Sequence, residues 1–423
     1  MRRTAVVLAF VLAALFAIGA VQADDGPAVL DIRETADGGG LAFTIIARSS
    51  DAPVRDIRIT IAQGRLGTTT TAKLRFDPAN EVTAEHRIQR RNLVTGQVFS
   101  YWYLVEDETG RVVRTEPRLY RYLDPRFSWQ SLDRDGLVVF FSDGGERRAL
   151  LAADVADATF EEVGAALRAS YPRTLTLMVY SSNQDALDAF PPGSQATRDF
   201  YAGFAFHELD VVIFGVDSPE QVPSIVRHEV THILTNERTR RSPNGLPAWL
   251  DEGLATYYGG GHDDVVLQRG IASGSLIPLR HLTQFTGTPE RIDLAYAQSG
   301  SLIAFLIRRY GEASLADLLD AVDSGLRDDS ALANVYGLDR NGIDAAWRAS
   351  LGLAPEATPP AAPPAAQPGV RPPAATPPPA QPSLPGGRGN AGLTLAAVAS
   401  LLVAAASGVG AIGMLWLLRR SFR

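Results

Sequence analysis

The 423-residue sequence contains no cysteine. This absence excludes a disulfide-stapled secreted fold, an iron–sulfur protein, a cysteine-ligated zinc finger and a thiol nucleophile. Basic residues are also fewer than acidic ones: the chain has 40 lysines and arginines and 47 aspartates and glutamates, for a formal net charge of −7. An acidic balance argues against a sequence-independent nucleic-acid binder. The hydrophobic content of 46% is ordinary, so the chain is not disordered throughout.

The two ends of the chain are apolar. Arg2 and Arg3 precede an uncharged run, and small or compact residues follow it, which predicts a secretory signal peptide over residues 1–23. An uncleaved anchor is the alternative. Residues 391–418 carry no charge and exceed the ~20 residues that a helix needs to cross a bilayer, which predicts a transmembrane helix.

The residues after the predicted transmembrane helix fix its direction. Residues 419–423 include three arginines, and positive charge stays on the cytoplasmic side of a membrane. We therefore expect a single-pass protein of the cell membrane, with a short cytoplasmic tail and an extracytoplasmic body. Residues 354–390 form a linker, because 13 of the 34 residues from 354 to 387 are proline, a composition typical of an extended, semi-rigid spacer.

The body of the chain divides into two predicted domains. Residues 24–124 contain several short runs of alternating polar and apolar residues, which predict a small antiparallel β-sandwich of the fibronectin or immunoglobulin kind. One run, residues 98–105, is rich in aromatic residues. These aromatic side chains either pack in the sandwich core, which we favour, or form a carbohydrate platform.

Residues 125–353 show a different pattern. A helix is predicted over residues 157–170, a buried strand over 174–180 and another strand within 204–216. After residue 218 the chain reads as mainly helical to about residue 351. Strands followed by helices predict an α+β domain.

The motif that carries chemistry is HEVTH, residues 228–232. The flanking apolar residues have helical spacing, and residues i and i+4 of a helix lie on one side, so the imidazoles of His228 and His232 can hold one metal ion. Glu229 is the residue after His228 on the same helix. From there it can take a proton from water near the metal without being a metal ligand. Two ordinary surface histidines on a helix are the weaker alternative.

A third ligand is expected downstream, in the segment LPAWLDEGLA. Pro247 suits the first turn of a helix, and three glycines at 259–261 end it. Glu252 follows His232 by 20 residues, enough for a loop and a returning antiparallel helix. Two histidines and a glutamate with a fourth position open to water form the arrangement of catalytic zinc sites. Zn2+ is favoured by these ligand types, although they do not exclude other transition metals.

HEVTH followed by LPAWLDEGLATYY resembles the gluzincin metallopeptidases, which include thermolysin and the zinc aminopeptidases, and most closely the bacterial peptidase MA-like family. The resemblance covers about residues 126–351. It implies a thermolysin-like fold, His228, His232 and Glu252 as zinc ligands, Glu229 as general base, and peptide or protein substrates. It also implies that residues 202–206 form an edge strand that pairs with the substrate.

Three further points follow from this resemblance. Tyr296 is the candidate for stabilising the oxyanion, by analogy with the tyrosine of zinc aminopeptidases; a packing role is the alternative, and Tyr257 is a rival. Thermolysin has an aspartate one turn beyond its glutamate ligand to orient a zinc histidine, but this chain has Thr256 there, so support for the histidine must come from elsewhere. The glycine- and methionine-rich exopeptidase motif is absent, which favours an endopeptidase.

Two other classes of function fit the same features. One keeps the metal but acts on a different substrate, for example a non-peptide amide, which the sequence does not separate from proteolysis. A non-catalytic cell-surface binding or adhesion protein would also combine a sandwich, a spacer and an anchor, with a zinc ion that only stabilises the fold. Glu229 and the open coordination position argue against it, because a structural zinc site requires neither. The remaining histidines, His207, His262 and His281, lack the spacing of ligands and are interpreted as surface or hydrogen-bonded residues.

Overall fold

A computed structural model describes residues 26–65, 67–190 and 203–354. The predicted signal peptide, nearly all of the proline-rich linker, the predicted transmembrane helix and the basic tail lie outside these residues. Within these three ranges, no helix combines the length and the apolar character needed to span a bilayer.

Eight strands make up the first part of the described chain: β1 (Ala28–Asp37), β2 (Gly40–Arg48), β3 (Val54–Gln63), β4 (Thr68–Lys73), β5 (Glu81–Gln89), β6 (Val98–Asp107), β7 (Val112–Arg114) and β8 (Arg118–Arg121). They form two antiparallel sheets. One sheet has the order β1-β2-β5, and in the other β3 pairs with β4 and β6, while β6 also pairs with β7 and β8.

The aromatic strand β6 supplies the core between these two sheets. Its alternate side chains Phe99, Tyr101 and Tyr103 are fully buried, and the ring centroid of Tyr101 lies 4.7 Å from that of Phe43 on β2. Trp102 points to the other side of its sheet and is partly exposed. Three of the four aromatic side chains therefore pack in the core, as we favoured from the sequence.

A third sheet, which is mixed, follows. It is built from β9 (Trp129–Arg134), β10 (Leu137–Ser142), β11 (Leu175–Tyr180), β12 (Gly203–Phe206) and β13 (Val211–Gly215) in the order β12-β13-β11-β10-β9. The three central strands are parallel, and the two edge strands β12 and β9 run antiparallel to their neighbours. The edge strand predicted at residues 202–206 is thus β12 over its described part.

Nine helices complete the part of the chain that the structure describes: α1 (Glu146–Leu167), α2 (Asn183–Ala189), α3 (Val222–Arg238), α4 (Ala248–Tyr258), α5 (Asp264–Ala272), α6 (Pro289–Tyr310), α7 (Ala313–Asp323), α8 (Asp328–Tyr336) and α9 (Arg340–Ser350). The predominance of helices after residue 218 and the mixed α+β class are confirmed. Helix α1 begins eleven residues earlier than predicted, because its buried first half is lined by alanines, whose small side chains give only a weak periodic signal.

Both faces of the mixed sheet are covered. Helices α1 and α3 pack on one face. Helix α2 and Val94 of the sandwich pack on the other. Every residue of β10, β11 and β13 is consequently buried, which accounts for their continuous apolar sequences.

The pair α3 and α4 carries the predicted site, and α6 supports α4 from behind. Helix α4 begins directly after Pro247 and ends before Gly259, as the sequence predicts. At Gly253 a β-carbon would lie only 2.9 Å from the backbone oxygen of Ser299 on α6, so a glycine is required for the two helices to approach this closely.

Trp249 fixes the first turn of α4. Its side chain is fully buried, and its indole N–H donates a hydrogen bond of 3.2 Å to Asp328 on α8. We expect Trp249→Ala to lower the free energy of unfolding by about 3–5 kcal/mol, measured by urea denaturation, because it leaves a large cavity. The control Trp102→Ala should cost clearly less, since Trp102 is partly exposed. An equal loss in both variants would contradict this packing role.

Candidate metal centre

Three side chains predicted as ligands meet in one buried place. The Nε2 atoms of His228 and His232 lie 3.2 Å apart, and Oε2 of Glu252 lies 3.6 Å from the first and 3.4 Å from the second. Among the described residues, this is the one group of three or more histidine and acidic side chains arranged to share a metal ion. Helix α3 supplies the histidines from adjacent turns, and α4 supplies the glutamate.

The dimensions of this triangle fit a zinc ion. Bond lengths of about 2.0–2.1 Å in a tetrahedral site put ligand atoms about 3.3–3.4 Å apart, close to the three distances observed. Glu252 is 1% exposed, and neither of its carboxylate oxygens has a hydrogen-bond partner among the described residues. Buried carboxylates need a partner, and a divalent cation held by His228, His232 and Glu252 supplies it. One tetrahedral position remains for a further ligand.

Asp251 is the carboxylate that orients a histidine of the candidate metal site, a role that Thr256 cannot fill. The Nδ1 atom of His232 lies 3.1 Å from Oδ1 of Asp251, which also accepts a hydrogen bond of 2.8 Å from the hydroxyl of Thr235. A carboxylate at Nδ1 fixes the tautomer of the ring and leaves Nε2 to bind a metal. This role of Asp251 was not predicted from the sequence, in which the available signal was the acidic pair that precedes Gly253 in LDEG.

Burial and neighbouring charges set the protonation of the site. Burial lowers the pKa of His228, which keeps this ligand neutral. Burial also acts against a proton on His232, but the carboxylates of Asp251 and Glu252 outweigh it and raise the pKa of His232 well above its ordinary value. A proton and a metal ion compete for Nε2 of His232, so a cation that binds there would displace a proton held at that atom.

Glu229 lies between the metal ligands and the edge strand. Its side chain is 1% exposed, and Oε2 has no hydrogen-bond partner within the described ranges. Burial raises its pKa to about 8, and the charge of Glu252 contributes to the rise. A β-carbon at Gly203 on β12 would lie 2.7 Å from Oε1 of Glu229, so only glycine lets the edge strand pass this close to the carboxylate.

The two tyrosine candidates occupy different places. Tyr296 is buried in the second turn of α6, and its ring packs edge-on against Phe285 with centroids 4.9 Å apart. Tyr257 is half-buried near the end of α4 and packs edge-on against Tyr258, with centroids 5.2 Å apart.

His207 lies closer to the candidate metal site than its position in the sequence suggested. It follows β12 directly, burial lowers its pKa, and the charges of Asp251 and His232 act on it. It has no ligand spacing in the sequence, and the structure does not add it to the metal-binding group.

Residues 155–352 match the family model described as Peptidase MA superfamily. The match confirms the resemblance drawn from HEVTH and LPAWLDEGLATYY, and the matched range contains all the predicted site residues. It supports a zinc peptidase in general. No match was found among curated proteins.

Solved structures with some similarity include three proteins. OgpA from Akkermansia muciniphila has 11% identity, covers 27% of this chain and has a TM-score of 0.20, and the chain spans only 31% of that protein's length. An M1 zinc metallopeptidase from Deinococcus radiodurans has 11% identity over 76% of this chain and 94% of its own, with a TM-score of 0.34. A carbohydrate-binding module family 56 β-1,3-glucan binding domain has 18% identity over 22% of this chain and 100% of its own, with a TM-score of 0.16.

Loss of the Asp251 carboxylate should weaken metal binding. We expect Asp251→Asn to reduce zinc affinity about 10–100-fold, because His232 loses the acceptor that orients its ring. Zinc affinity of the unaltered protein should fall as the pH is lowered, since protons compete for Nε2 of His232. Competition with a fluorescent chelator measures both effects. Asp264→Asn, at an exposed carboxylate beside His262, is the control, and equal affinities in the two variants would refute the role of Asp251.

Proposed function

We propose that this chain, which over residues 155–352 resembles the Peptidase MA superfamily, is a zinc-dependent endopeptidase. The observation that carries the proposal is the convergence of His228, His232 and Glu252 beside Glu229, a buried carboxylate that is not itself a ligand. A structural zinc site would have no use for such a carboxylate next to an open coordination position.

The metal contributes one kind of chemistry. When bound by His228, His232 and Glu252, zinc acts as a Lewis acid that polarises a carbonyl group and lowers the pKa of water to about 7. All other contributions come from the side chains and backbone of this chain.

Glu229 moves the proton. Its pKa of about 8 reflects burial beside other carboxylates, and a divalent cation nearby lowers that pKa towards neutrality. A proton acceptor works best when its pKa is near the pH of the reaction. Glu229 therefore accepts a proton from the attacking water and delivers it to the leaving nitrogen of the peptide.

The edge strand β12 binds the substrate. It is the last strand of its sheet, it runs antiparallel to β13, and its first described residue lies against Glu229. An extended peptide adds to such an edge through main-chain hydrogen bonds. A peptide held there in an extended conformation passes beside the general base, which suits cleavage within a chain rather than at its end.

Tyr296 stabilises the developing oxyanion in this proposal. It is buried on α6, the helix that packs against α4 behind Glu252. A hydroxyl held rigidly by packing against Phe285 can donate a hydrogen bond to negative charge that forms in the transition state.

The site acts outside the cytoplasm in our proposal. The uncharged runs at residues 4–23 and 391–418 support export and anchoring by a single C-terminal helix, and the linker at 354–390 separates the catalytic domain from the membrane. The partners are then peptides or proteins and the membrane itself, with no nucleic acid.

Replacement of the general base separates catalysis from metal binding. We expect Glu229→Gln to keep a full complement of zinc while kcat for peptide cleavage falls at least about 100-fold, because no group remains to accept the proton. Zinc content by mass spectrometry and cleavage of a quenched fluorescent peptide library measure the two effects. Glu162→Gln, an exposed glutamate on α1, is the matched control. A Glu229→Gln enzyme as fast as the unaltered protein would disprove the assignment.

The tyrosine candidates are told apart by removing one hydroxyl at a time. We expect Tyr296→Phe to lower kcat about 10²–10³-fold with KM nearly constant, the effect of losing a donor that acts in the transition state. Tyr257→Phe should leave kcat within a few-fold. Steady-state kinetics on one peptide substrate decide the matter, and the reverse ranking would assign the role to Tyr257.

A further inference from the structure

One residue of the N-terminal sandwich, Arg65, contacts the segment that directly follows the edge strand β12. Arg65 lies in the turn after β3. Its backbone N–H donates a hydrogen bond of 2.8 Å to the backbone oxygen of Glu208, and its Nη1 donates one of 3.1 Å to the backbone oxygen of His207. Both acceptors belong to the short 3-10 helix that follows β12.

The Arg65 guanidinium also contacts two carboxylates. Nη2 donates to Glu237 at the end of α3, and Nε lies 3.6 Å from Oδ1 of Asp210, the residue before β13. Arg173 bonds the same two carboxylates, and Nε of Arg240 lies 3.7 Å from Glu237, so three positive and two negative charges form one cluster. The side chains of Arg65 and Glu237 are 11% and 9% exposed, so this pair is largely shielded from water, and loss of Arg65 would leave the buried charge of Glu237 less well compensated.

This cluster joins the two elements on which the site depends. Strand β12 has only four residues in the described chain and is held in the sheet by β13 alone on its inner side. Its first residue, Gly203, lies against Glu229, and its last residue leads directly into the segment that Arg65 holds. Glu237 is five residues beyond His232 on α3. Arg65 therefore fixes the distal end of β12 against the helix that carries the histidines.

Other contacts attach the sandwich without touching β12. Arg121 donates a hydrogen bond of 2.7 Å to Thr176 on β11, and Val94 packs on the sheet face beside α2. The two parts of the chain consequently have a contact surface that does not depend on Arg65, so loss of this residue has a local effect on the edge strand.

We propose that Arg65 is a positioning residue that makes the N-terminal sandwich part of the catalytic unit by holding strand β12 in register beside Glu229. The kinetic part of this proposal rests on the proposed peptidase function. The structural part does not, because the mobility of β12 can be measured in a protein without any substrate.

The test compares three single variants of the full-length zinc-loaded protein. We expect Arg65→Ala to speed amide hydrogen exchange across residues 204–210 at least about tenfold and to raise KM for an extended peptide about tenfold, with zinc content and kcat changed little. Arg65→Lys should change the exchange rate and KM in the same direction but less than Arg65→Ala does. An ammonium can still pair with Glu237 but cannot also reach the backbone oxygen of His207. Arg121→Ala, at the same interface beside β11, should leave exchange in β12 unchanged.

The outcomes separate this proposal from the peptidase assignment. If zinc-loaded protein cleaves no peptide, the peptidase function fails, and hydrogen exchange still decides the role of Arg65. If Arg65→Ala changes only the overall stability, with exchange in β12 and KM as in the unaltered protein, the positioning role is refuted. Should Arg65→Ala fail to fold, Arg65→Lys carries the same two measurements, and an unchanged exchange rate and KM there would overturn the proposal.

Discussion

The packing of α4 against α3 is the constraint on which the candidate site depends. The spacing of His228 and His232 is set within one helix, but Glu252 reaches them only if the second helix crosses at the right place. The two residues beside Glu252 in the sequence, Asp251 and Gly253, stabilise this arrangement of the helices. Asp251 binds the ring of His232, and Gly253 removes the side chain that would keep α6 away. The three consecutive residues point in directions about 100° apart around the helix. Asp251 thus orients His232, Glu252 faces the candidate metal site, and Gly253 lets α6 pack against α4.

The electrostatics of the site make sense only with a cation present. Two imidazoles and three carboxylates, from Glu229, Asp251 and Glu252, are removed from water in a small volume. Such burial is costly for charged groups, and removal of one partner leaves the others uncompensated. A divalent ion held by His228, His232 and Glu252 would offset the excess negative charge and compete with protons for Nε2 of His232, so folding, protonation and metal binding are linked. Burial is the main cause of the raised pKa of Glu229, and the charges of Glu252 and Asp251 add to it.

The sequence predicts what local spacing determines. It points to the histidine pair, to Glu252 as the third member of the metal-binding group, and to the limits of α4 from Pro247 and Gly259, while the edge strand follows from the family resemblance. It does not identify Asp251 as the partner of a histidine 19 residues away, nor Arg65 as a link between the sandwich and β12. Both roles depend on contacts between elements far apart in the chain, and neither residue type is unusual at its position. The early start of α1 is missed because alanine marks a buried face only weakly.

The central claim is that one zinc ion is bound by two imidazoles and one carboxylate with a position left for water. Zinc-edge X-ray absorption spectroscopy of the zinc-loaded full-length protein tests it most directly. We predict four nitrogen or oxygen ligands at about 2.0–2.1 Å, with the outer-shell scattering of two imidazole rings. A spectrum of a six-coordinate ion surrounded by oxygen, with fewer than two imidazoles, would contradict the claim.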